Sequence, residues 1–417
     1  MLQAVENTSL EPRRDPRVLI YSHDTFGLGH LRRCLTIAHD LVEQNKNLSV
    51  LILSGSPIIG SFDFRVRVDF VRIPGVIKLR NGEYTPLNLH MGVEETLSIR
   101  SSIIHHTAKI FDPDIFIVDK EPLGLRGEVR NALPMLQKRG CRLVLGLRDI
   151  LDEPALLAPE WARKNVIPSL CDLYDEIWVY GLPQICNPLS GIDLPEIVKS
   201  KIVYTGYLPR RISKPVVAHP PPPVTQSPYL LVTTGGGGDG AELIDWVLRA
   251  YERESLLPYP ALMVLGPFMQ PELQKEFLVR AERLPRVQAI TFDAHIENLE
   301  ANAAGIVAMG GYNTFCEILS LDKKAIIVPR TKPRLEQYIR ASRAQELGLV
   351  QMLVDDGSRP VEAMISALRA LPQQRKPSEV VVPGLLEGLT NVNRLASPWL
   401  GQHANVQSDL RVNRQHA

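Results

Sequence analysis

The repeated alternation of short apolar runs with helical segments constrains this chain more than any other feature of its sequence. The run Arg17–Ser22 (RVLIYS) precedes a stretch, Leu31–Gln44, in which apolar residues recur every three or four positions. Further apolar runs follow at Leu48–Ser54, Val68–Ile73, Ile115–Asp119, Leu143–Leu147 and Glu176–Tyr180. Continuous apolar strands separated by helices are typical of a parallel sheet that is covered on both faces. The sequence therefore predicts an α/β fold.

A proline-rich stretch separates this series of strands from a second one. Residues 209–228 contain four consecutive prolines, Pro220–Pro223, and predict a semi-rigid extended linker. The second series comprises Tyr229–Thr233, Ala261–Leu265, Val287–Thr291, Gly305–Met309, Ala325–Val328 and Val350–Leu353. We therefore expect a Rossmann-like domain over residues 1–208, a hinge over 209–228 and a second Rossmann-like domain over 229–384. Residues 401–417 are polar and predict a disordered tail.

Composition excludes several classes of function. The 417 residues include 47 Lys plus Arg against 46 Asp plus Glu, so the chain lacks the basic excess of a nucleic-acid-binding protein. Its five cysteines are scattered, which favours a reduced, cytoplasmic protein. The first 16 residues contain no apolar stretch of the kind found in signal peptides, and no run reaches the ~18 apolar residues of a spanning helix.

Three glycine-rich turns follow predicted strands and precede predicted helices. They are Gly27-Leu28-Gly29-His30, Gly235–Gly238 and Gly310-Gly311. Such a turn leaves backbone N–H groups free at the positive end of a helix dipole, which suits a phosphate. None of them matches the P-loop pattern. Because Thr314 and Glu317 follow the third turn, and a carboxylate there could accept hydrogen bonds from a ribose, this turn points to a nucleotide diphosphate.

Together these segments resemble the two-domain GT-B class of nucleotide-sugar glycosyltransferases. The likeness is to the peptidoglycan N-acetylglucosaminyltransferase and galactolipid synthase branch and to a group of predicted bacterial glycosyltransferases, and it covers most of the chain. It rests on the first two turns, on Gly310-Gly311-x-Asn313-Thr314-x-x-Glu317, and on the following Val328-Pro329-Arg330, Glu336-Gln337 and Arg340-Ala341. The resemblance implies two Rossmann-like domains that face each other across a cleft, with a helix over 385–400 that crosses back to the first domain.

The resemblance also implies that the second domain binds the donor. The residues it assigns there are Gly235, Gly236, Gly237, Ile296, Gly310, Gly311, Asn313, Thr314, Glu317, Glu336 and Gln337. The 310–314 turn would face the diphosphate, Glu317 the ribose, the Glu336-Gln337 pair the sugar hydroxyls, and Ile296 the uracil of a UDP-sugar. Such enzymes usually need no metal ion, and the sequence has no D-x-D motif. We expect no cofactor, since the nucleotide-sugar is a substrate and UDP a product.

Two residues of the first domain are candidates for the catalytic base. His30 opens the first helix, where the positive helix end would favour the neutral, basic imidazole, although a water-facing residue with no catalytic role is an alternative interpretation. Asp119 ends a buried strand, and an ion pair with Lys120 or Arg126 is an equally good interpretation of it. The remaining residues expected on the acceptor side are Gly27, Gly29, Arg33 and Arg148.

The predicted reaction is transfer of a sugar from a UDP-sugar to a hydroxyl of a glycan or lipid-linked acceptor, in cell-envelope or exopolysaccharide synthesis. Three alternatives stay open: a nucleotide-sugar hydrolase on the same fold in which His30 activates water, a nucleotide-sugar 2-epimerase, and a non-catalytic nucleotide-binding module. The segment Ile73–Arg80 (IPGVIKLR) mixes apolar and basic residues, which suggests peripheral contact with the inner face of the plasma membrane.

Overall fold

A computed structural model describes residues 14–24, 29–79, 83–151, 154–212, 222–236, 238–293, 295–332 and 334–400. The strands of its first sheet are Arg17–Tyr21 (β1), Ser49–Ser54 (β2), Val68–Arg72 (β3), Ile115–Asp119 (β6), Arg142–Arg148 (β7), Glu176–Tyr180 (β8) and Ile202–Tyr204 (β9). Val76–Lys78 (β4) and Tyr84–Pro86 (β5) form a separate antiparallel hairpin. The sheet is parallel throughout, in the order β3-β2-β1-β6-β7-β8-β9.

The second sheet repeats this arrangement. Its strands are Leu230–Thr233 (β10), Ala261–Val264 (β11), Val287–Ile290 (β12), Gly305–Ala308 (β13), Ala325–Ile327 (β14) and Gln351–Met352 (β15). They are also parallel, in the order β12-β11-β10-β13-β14-β15. Counted along the chain, both sheets therefore have the doubly wound order 3-2-1-4-5-6, and the first adds β9 at its edge. In such sheets ligands bind beyond the carboxyl ends of the strands.

Helices cover both faces of the two sheets. They are Gly29–Gln44 (α1), Val93–Phe111 (α2), Ala132–Lys138 (α3), Pro154–Lys164 (α4), Ile167–Asp172 (α5), Glu196–Lys199 (α6), Ala241–Arg253 (α7), Pro271–Glu282 (α8), Ile296–Asn302 (α9), Tyr312–Ser320 (α10), Glu336–Glu346 (α11), Val361–Ala370 (α12) and Gly388–Ala396 (α13). Apolar spacing sets their orientation. In α1, for example, Leu31, Leu35, Ala38 and Leu41 are buried on one face.

The prediction of an α/β fold with two parallel sheets is confirmed. Each strand expected from the sequence is present, and its ends agree within one residue. The sequence pattern did not indicate β9 or the β4–β5 hairpin, because all three are three-residue strands with too few positions to show a period. The predicted disordered tail, 401–417, lies outside the described residues, as do residues 213–221 of the proline-rich stretch. Among the residues that the structure describes, no helix is both long and apolar enough to cross a membrane.

The two sheets are joined by a packed interface. The ring of Tyr207 lies 5.2 Å from that of Phe315 and 5.9 Å from that of Tyr312, both in α10. Beside these rings, the buried Asp149 at the end of β7 accepts hydrogen bonds from Arg340 of α11 at 2.6 and 2.7 Å. The chain then returns to the first sheet, where α13 packs against α1. A buried ion pair and aromatic packing therefore both connect the two sheets next to the cleft.

Candidate active site

A cavity of about 320 Å³ opens between the carboxyl ends of the two sheets. Its walls come from both domains, and its size is that of a small-molecule site. The first domain contributes Gly29, His30, Arg32, Arg33, Ile58, Ser61, Phe62 and Arg148. The second contributes Thr233, Gly235, Gly236, Val264, Phe292, Asp293, Ile296, Glu300, Gly311, Tyr312, Asn313, Thr314, Glu317, Arg330, Glu336 and Gln337.

The two candidate bases form one hydrogen-bonded unit. His30 Nδ1 lies 2.5 Å from Oδ2 of Asp119, which ends β6. Arg33, one turn further along α1, donates from Nε to Asp119 Oδ1 at 3.0 Å, and its Nη2 contacts both Asp119 Oδ1 and His30 Nδ1. The carboxylate of Asp119 can only accept and is the nearer partner of Nδ1, while Arg33 Nη2 has Asp119 Oδ1 as its own acceptor, so we place the Nδ1 proton on the bond to Asp119. His30 Nε2 then keeps its lone pair.

The surroundings hold both members of this unit in the required protonation state. Burial lowers the pKa of His30 to about 4, and the charge of Asp119 only partly offsets that effect. Burial by itself would raise the pKa of Asp119, but Arg33 and His30 outweigh it and hold the pKa of this carboxyl well below its usual range. Near neutral pH, His30 is therefore neutral and Asp119 ionised. These are the states of a general base and its orienting carboxylate.

On the opposite wall, the Gly310-Gly311 turn connects β13 to α10. Gly310 has φ +79°, and a Cβ atom there would lie 2.6 Å from Ile327 Cγ2, so the position requires glycine. Its carbonyl accepts a hydrogen bond from Arg340 Nη1 at 3.0 Å, and Gly310 itself is not among the lining residues. Gly311 and Thr314 do line the cavity. The first N–H groups of α10, which have no partner within the helix, thus lie at the cavity wall.

Asn313 and Glu317, both expected at the donor, also connect the two domains. Asn313 donates from Nδ2 to the Gly29 carbonyl at 3.1 Å, and its Oδ1 accepts from Arg210 Nη2 at 2.6 Å. Glu317 is buried, and its Oε1 lies 2.7 Å from Nη2 of Arg32. A ribose hydroxyl that reached Glu317 would therefore share this carboxylate with Arg32, a partner that the sequence pattern does not indicate.

A second carboxylate, Glu300 of α9, lies beside Glu317. Burial, and after it the charge of Glu317, raises the pKa of Glu300 well above its ordinary value. Glu300 therefore takes up a proton at a higher pH than an ordinary glutamate does.

Glu336 and Gln337 begin α11 at the far end of the cavity. Glu336 Oε1 accepts from Arg330 Nη2 at 2.6 Å, whereas its buried Oε2 has no hydrogen-bond partner among the described residues. Gln337 Oε1 accepts the backbone N–H of Arg330 at 3.1 Å. An unpartnered, buried carboxylate oxygen in a cavity wall is available to a hydroxyl of a ligand.

The remaining predicted donor residues are Gly235, Gly236, Gly237 and Ile296. Gly235, with φ +64°, and Gly236 line the cavity, as does Ile296 at the start of α9. Phe292 lines it as well and is 50% exposed, so its ring is open to a flat ligand. The sequence analysis missed Phe292, because a single aromatic residue in a loop carries no pattern. Gly237 lies outside the described residues.

The residues expected on the acceptor side have separate roles. Gly29 lines the cavity next to Asn313, and Gly27 lies outside the described residues. Arg33 is buried, and its guanidinium is engaged by Asp119, so it contacts the two candidate bases instead of facing solvent. Arg148, at the end of β7, lines the cavity 4.0 Å from Glu336.

Comparisons with known proteins agree with this architecture. Residues 230–379 match the model of the glycosyltransferase family 28 C-terminal domain. The chain is similar to the structure of Medicago truncatula UGT71G1 complexed with UDP-glucose, with 15% identity and a TM-score of 0.61 over 92% of this chain and 98% of that one. It is similar to a UDP-glucosyltransferase from Polygonum tinctorium, with 13% identity and a TM-score of 0.59 over 93% and 99% of the two chains.

A third similar structure is that of Acinetobacter baumannii MurG, with 12% identity and a TM-score of 0.52 over 92% of this chain and 99% of that one. No curated protein sequence matches the chain. The structural likenesses extend across both domains and confirm the predicted fold, while the family match includes the 310–317 turn and the Glu336-Gln337 pair. The chain thus has the two-domain fold of these glycosyltransferases, and its residues 230–379 match the model of the glycosyltransferase family 28 C-terminal domain.

Proposed function

We propose that the protein transfers a sugar from a UDP-sugar to a hydroxyl group of a glycan or lipid-linked acceptor. The observation that carries this proposal is that His30, which is hydrogen-bonded to Asp119, lines the same cavity as Gly311 and Thr314 at the start of α10. The cavity thus holds a base for an incoming hydroxyl and backbone donors for a departing diphosphate. In this proposal residues 1–208 bind the acceptor, 209–228 act as the hinge, 229–384 bind the donor, and 385–400 tie the second domain back to the first.

His30 is the general base. Its Nε2 takes the proton of the acceptor hydroxyl as the hydroxyl oxygen bonds to the anomeric carbon and the bond from that carbon to the diphosphate breaks. Asp119 keeps the imidazole in the required tautomer and stabilises the positive charge that forms, and Arg33 keeps Asp119 ionised. General-base assistance of this kind contributes about 10²–10⁴-fold to a rate.

The leaving UDP gains negative charge in the transition state. In our proposal the first-turn N–H groups of α10, from Gly311 to Thr314, stabilise that charge together with Gly235 and Gly236. Glu317 binds the ribose, Glu336 and Gln337 bind the sugar hydroxyls, and Ile296 lies at the base, with Phe292 as a further contact. Backbone dipoles perform the task that a metal ion would otherwise perform, so we propose a reaction without a metal ion or cofactor.

The proposed acceptor is a component of the cell envelope or of an exopolysaccharide, met at the inner face of the plasma membrane by a cytoplasmic protein. This proposal is supported by apolar side chains around the β4–β5 hairpin. Leu79, Leu89 and Met91 are each about two-fifths exposed. Arg80, the last residue of the predicted interfacial segment, lies outside the described residues. Flotation with anionic vesicles tests membrane contact, and a protein that stays wholly in solution at low salt would contradict it.

Two measurements test the reaction itself. A thermal-shift series with UDP, GDP, ADP and TDP should show selective stabilisation by UDP, because binding to the native state alone raises the unfolding temperature. Incubation with UDP-sugars should then give slow release of free sugar without an acceptor and faster formation of UDP with one. Rapid, stoichiometric release of free sugar in the absence of any acceptor would instead establish the hydrolase alternative.

A further inference from the structure

Glu300 carries a buried carboxyl oxygen at the cavity wall. The residue, on α9, is 1% exposed and lines the cavity together with Glu317 of α10. Its Oε2 has no hydrogen-bond partner among the described residues. Burial of a carboxyl oxygen without a hydrogen bond costs free energy, so groups of this kind are normally satisfied by a protein donor, a water or a ligand. Glu300 is therefore available to a donor group of a molecule that enters the cavity.

Compensation of the nearby Arg32 does not account for Glu300. Among the described residues, the carboxylates within 4.0 Å of the Arg32 guanidinium are Glu317, at 2.7 Å, and Glu297, at 3.6 Å. Glu300 acts on Arg32 only through a longer-range charge interaction. Arg32 thus has two nearer carboxylates, and Glu300 is not needed to neutralise it.

Contacts around the carboxyl end of α9 fix the position of Glu300. Lys323, which follows α10, donates from Nζ to the carbonyls of Ala301 at 2.6 Å and Ala303 at 2.9 Å. The hydroxyl of Tyr229 donates to the Leu299 carbonyl at 2.5 Å. The negative end of the helix dipole also favours the Lys323 cation. The backbone on both sides of Glu300 is therefore anchored, which keeps its side chain beside Glu317.

The two glutamates together match the hydroxyl groups of a ribose. A ribose has two vicinal hydroxyls, and each can donate one hydrogen bond. Glu317 Oε1 already lies against Arg32, so this carboxylate is shared with a cation. Glu300 Oε2 adds an acceptor from the neighbouring helix, and a carboxyl group offers an acceptor oxygen whether it is ionised or protonated.

We propose that Glu300 is a second ligand of the donor ribose, which accepts a hydrogen bond from one of the two vicinal hydroxyls while Glu317 accepts from the other. The inference rests on the proposed function, which places the ribose at Glu317. It makes the site selective for ribonucleotides. A nucleotide without the hydroxyl that Glu300 binds leaves a buried carboxyl oxygen unpaired, and sites that hydrogen-bond a hydroxyl discriminate strongly against analogues that lack it.

The experiment compares full-length wild-type protein with Glu300→Leu. Calorimetry measures the affinities for UDP, 2′-deoxy-UDP and 3′-deoxy-UDP. We expect the wild type to bind each deoxynucleotide about tenfold or more weakly than UDP, and Glu300→Leu to weaken UDP by about the same factor. The substitution should leave one of the two deoxynucleotides unaffected, because that nucleotide already lacks the hydroxyl which Glu300 binds, and should still weaken the other.

Two further variants separate ligand contact from charge and from folding. Glu297→Leu removes a carboxylate near Arg32 from the same helix, but Glu297 is not among the cavity-lining residues, so all three affinities should stay at wild-type levels. Glu300→Gln keeps an acceptor oxygen and should retain most of the UDP affinity and of the discrimination. Thermal unfolding without nucleotide establishes that each variant is folded, and Glu300→Gln replaces Glu300→Ala-type truncations because it preserves the shape of the side chain.

Other outcomes overturn the assignment. If Glu300→Leu weakens UDP and both deoxynucleotides by one common factor, or leaves UDP binding unchanged, Glu300 contacts neither hydroxyl. If Glu297→Leu has the same effect as Glu300→Leu, Glu300 acts through Arg32. If the wild type binds both deoxynucleotides as tightly as UDP, neither glutamate binds the ribose. If UDP fails to bind the wild-type protein at all, the proposed function has failed first, so the two failures are distinguishable.

Discussion

The two domains share one topology, yet they contribute different chemistry to the cleft. Both sheets have the order 3-2-1-4-5-6, and in each a residue with left-handed backbone follows within two positions of the end of the fourth strand. After β6 this is Lys120, directly behind Asp119, whereas after β13 it is Gly310, directly before Gly311. The first domain thus presents ionisable side chains at this edge, and the second presents bare backbone.

That difference follows from what each position has to contact. A Cβ atom at Gly310 would collide with Ile327, and one at Gly311 would point into open space in the cavity, where we expect the diphosphate. Helix N–H groups bind a phosphate only where side chains do not keep it away. Proton transfer instead needs a group that titrates, held by neighbours that fix its tautomer, and His30 with Asp119 and Arg33 meets that requirement. The shared topology therefore places both strand ends at the cleft, and the residue types at each end determine what it can contact.

The largest effect should come from removing the titratable group of the first domain. We expect His30→Ala to lower the transfer rate by about 10²–10⁴-fold while UDP affinity stays within about twofold, because in the proposed reaction His30 contacts the acceptor and not the nucleotide. Initial rates of UDP formation and calorimetric UDP binding measure the two quantities. His106→Ala, at an exposed position of α2, is the control. Transfer at the wild-type rate in His30→Ala would support a non-catalytic role for this residue.

The next largest effect should follow from breaking the ion pair that joins the two halves. Arg340→Met leaves the carboxylate of Asp149 buried without its guanidinium, which we expect to reduce the free energy of unfolding by about 3–5 kcal/mol. Denaturant titration measures this loss. Arg343→Met, on the same helix but half-exposed, should cost less than about 1 kcal/mol. Equal effects of the two substitutions would show that the buried pair does not couple the domains.

Two glycine substitutions in the second domain distinguish a glycine that the backbone requires from a glycine that leaves room for the ligand. Gly310→Ala places a Cβ atom against Ile327 at φ +79°, so we expect a loss of about 2 kcal/mol or more in the free energy of unfolding. Gly311→Ala meets no atom within 4 Å and should leave stability nearly unchanged while it weakens UDP binding. Stability that falls equally in both variants, with UDP affinity intact, would remove the diphosphate from this turn.

The smallest predicted effect is a pH dependence that distinguishes the buried His30 from an exposed histidine. Because its pKa is lowered to about 4, the acid limb of kcat/KM should fall near that pH and not near 6.5. Between pH 6.5 and about 4 the unfolded chain binds more protons at this residue than the native state, so stability should rise with pH across that window. His30→Asn should reduce that slope. An acid limb of kcat/KM near pH 6.5 would contradict the burial of His30, because that is the pKa of a solvent-exposed histidine.

Much of this arrangement was predictable from local sequence. Strand positions agreed within one residue because continuous apolar runs between turns admit few alternatives. The glycine turns were predictable because glycine readily adopts the left-handed backbone that Gly235 and Gly310 have. Ile202–Tyr204 and the β4–β5 hairpin were not, because three-residue strands depend on their neighbours for pairing.

The sequence by itself determined two α/β domains, their glycine turns and some of the residues that line the cleft, since period and turn chemistry are local properties. Only the tertiary structure decided how those residues combine. Asp119 and His30 are 89 positions apart in the sequence, which offered them as alternative catalytic bases. In the structure they are hydrogen-bonded to each other. The pairing of Arg32 with Glu317, and of Asp149 with Arg340, connects separate domains. Long-range contacts of this kind depend on how the two sheets face each other, which cannot be predicted from the spacing of neighbouring residues in the sequence.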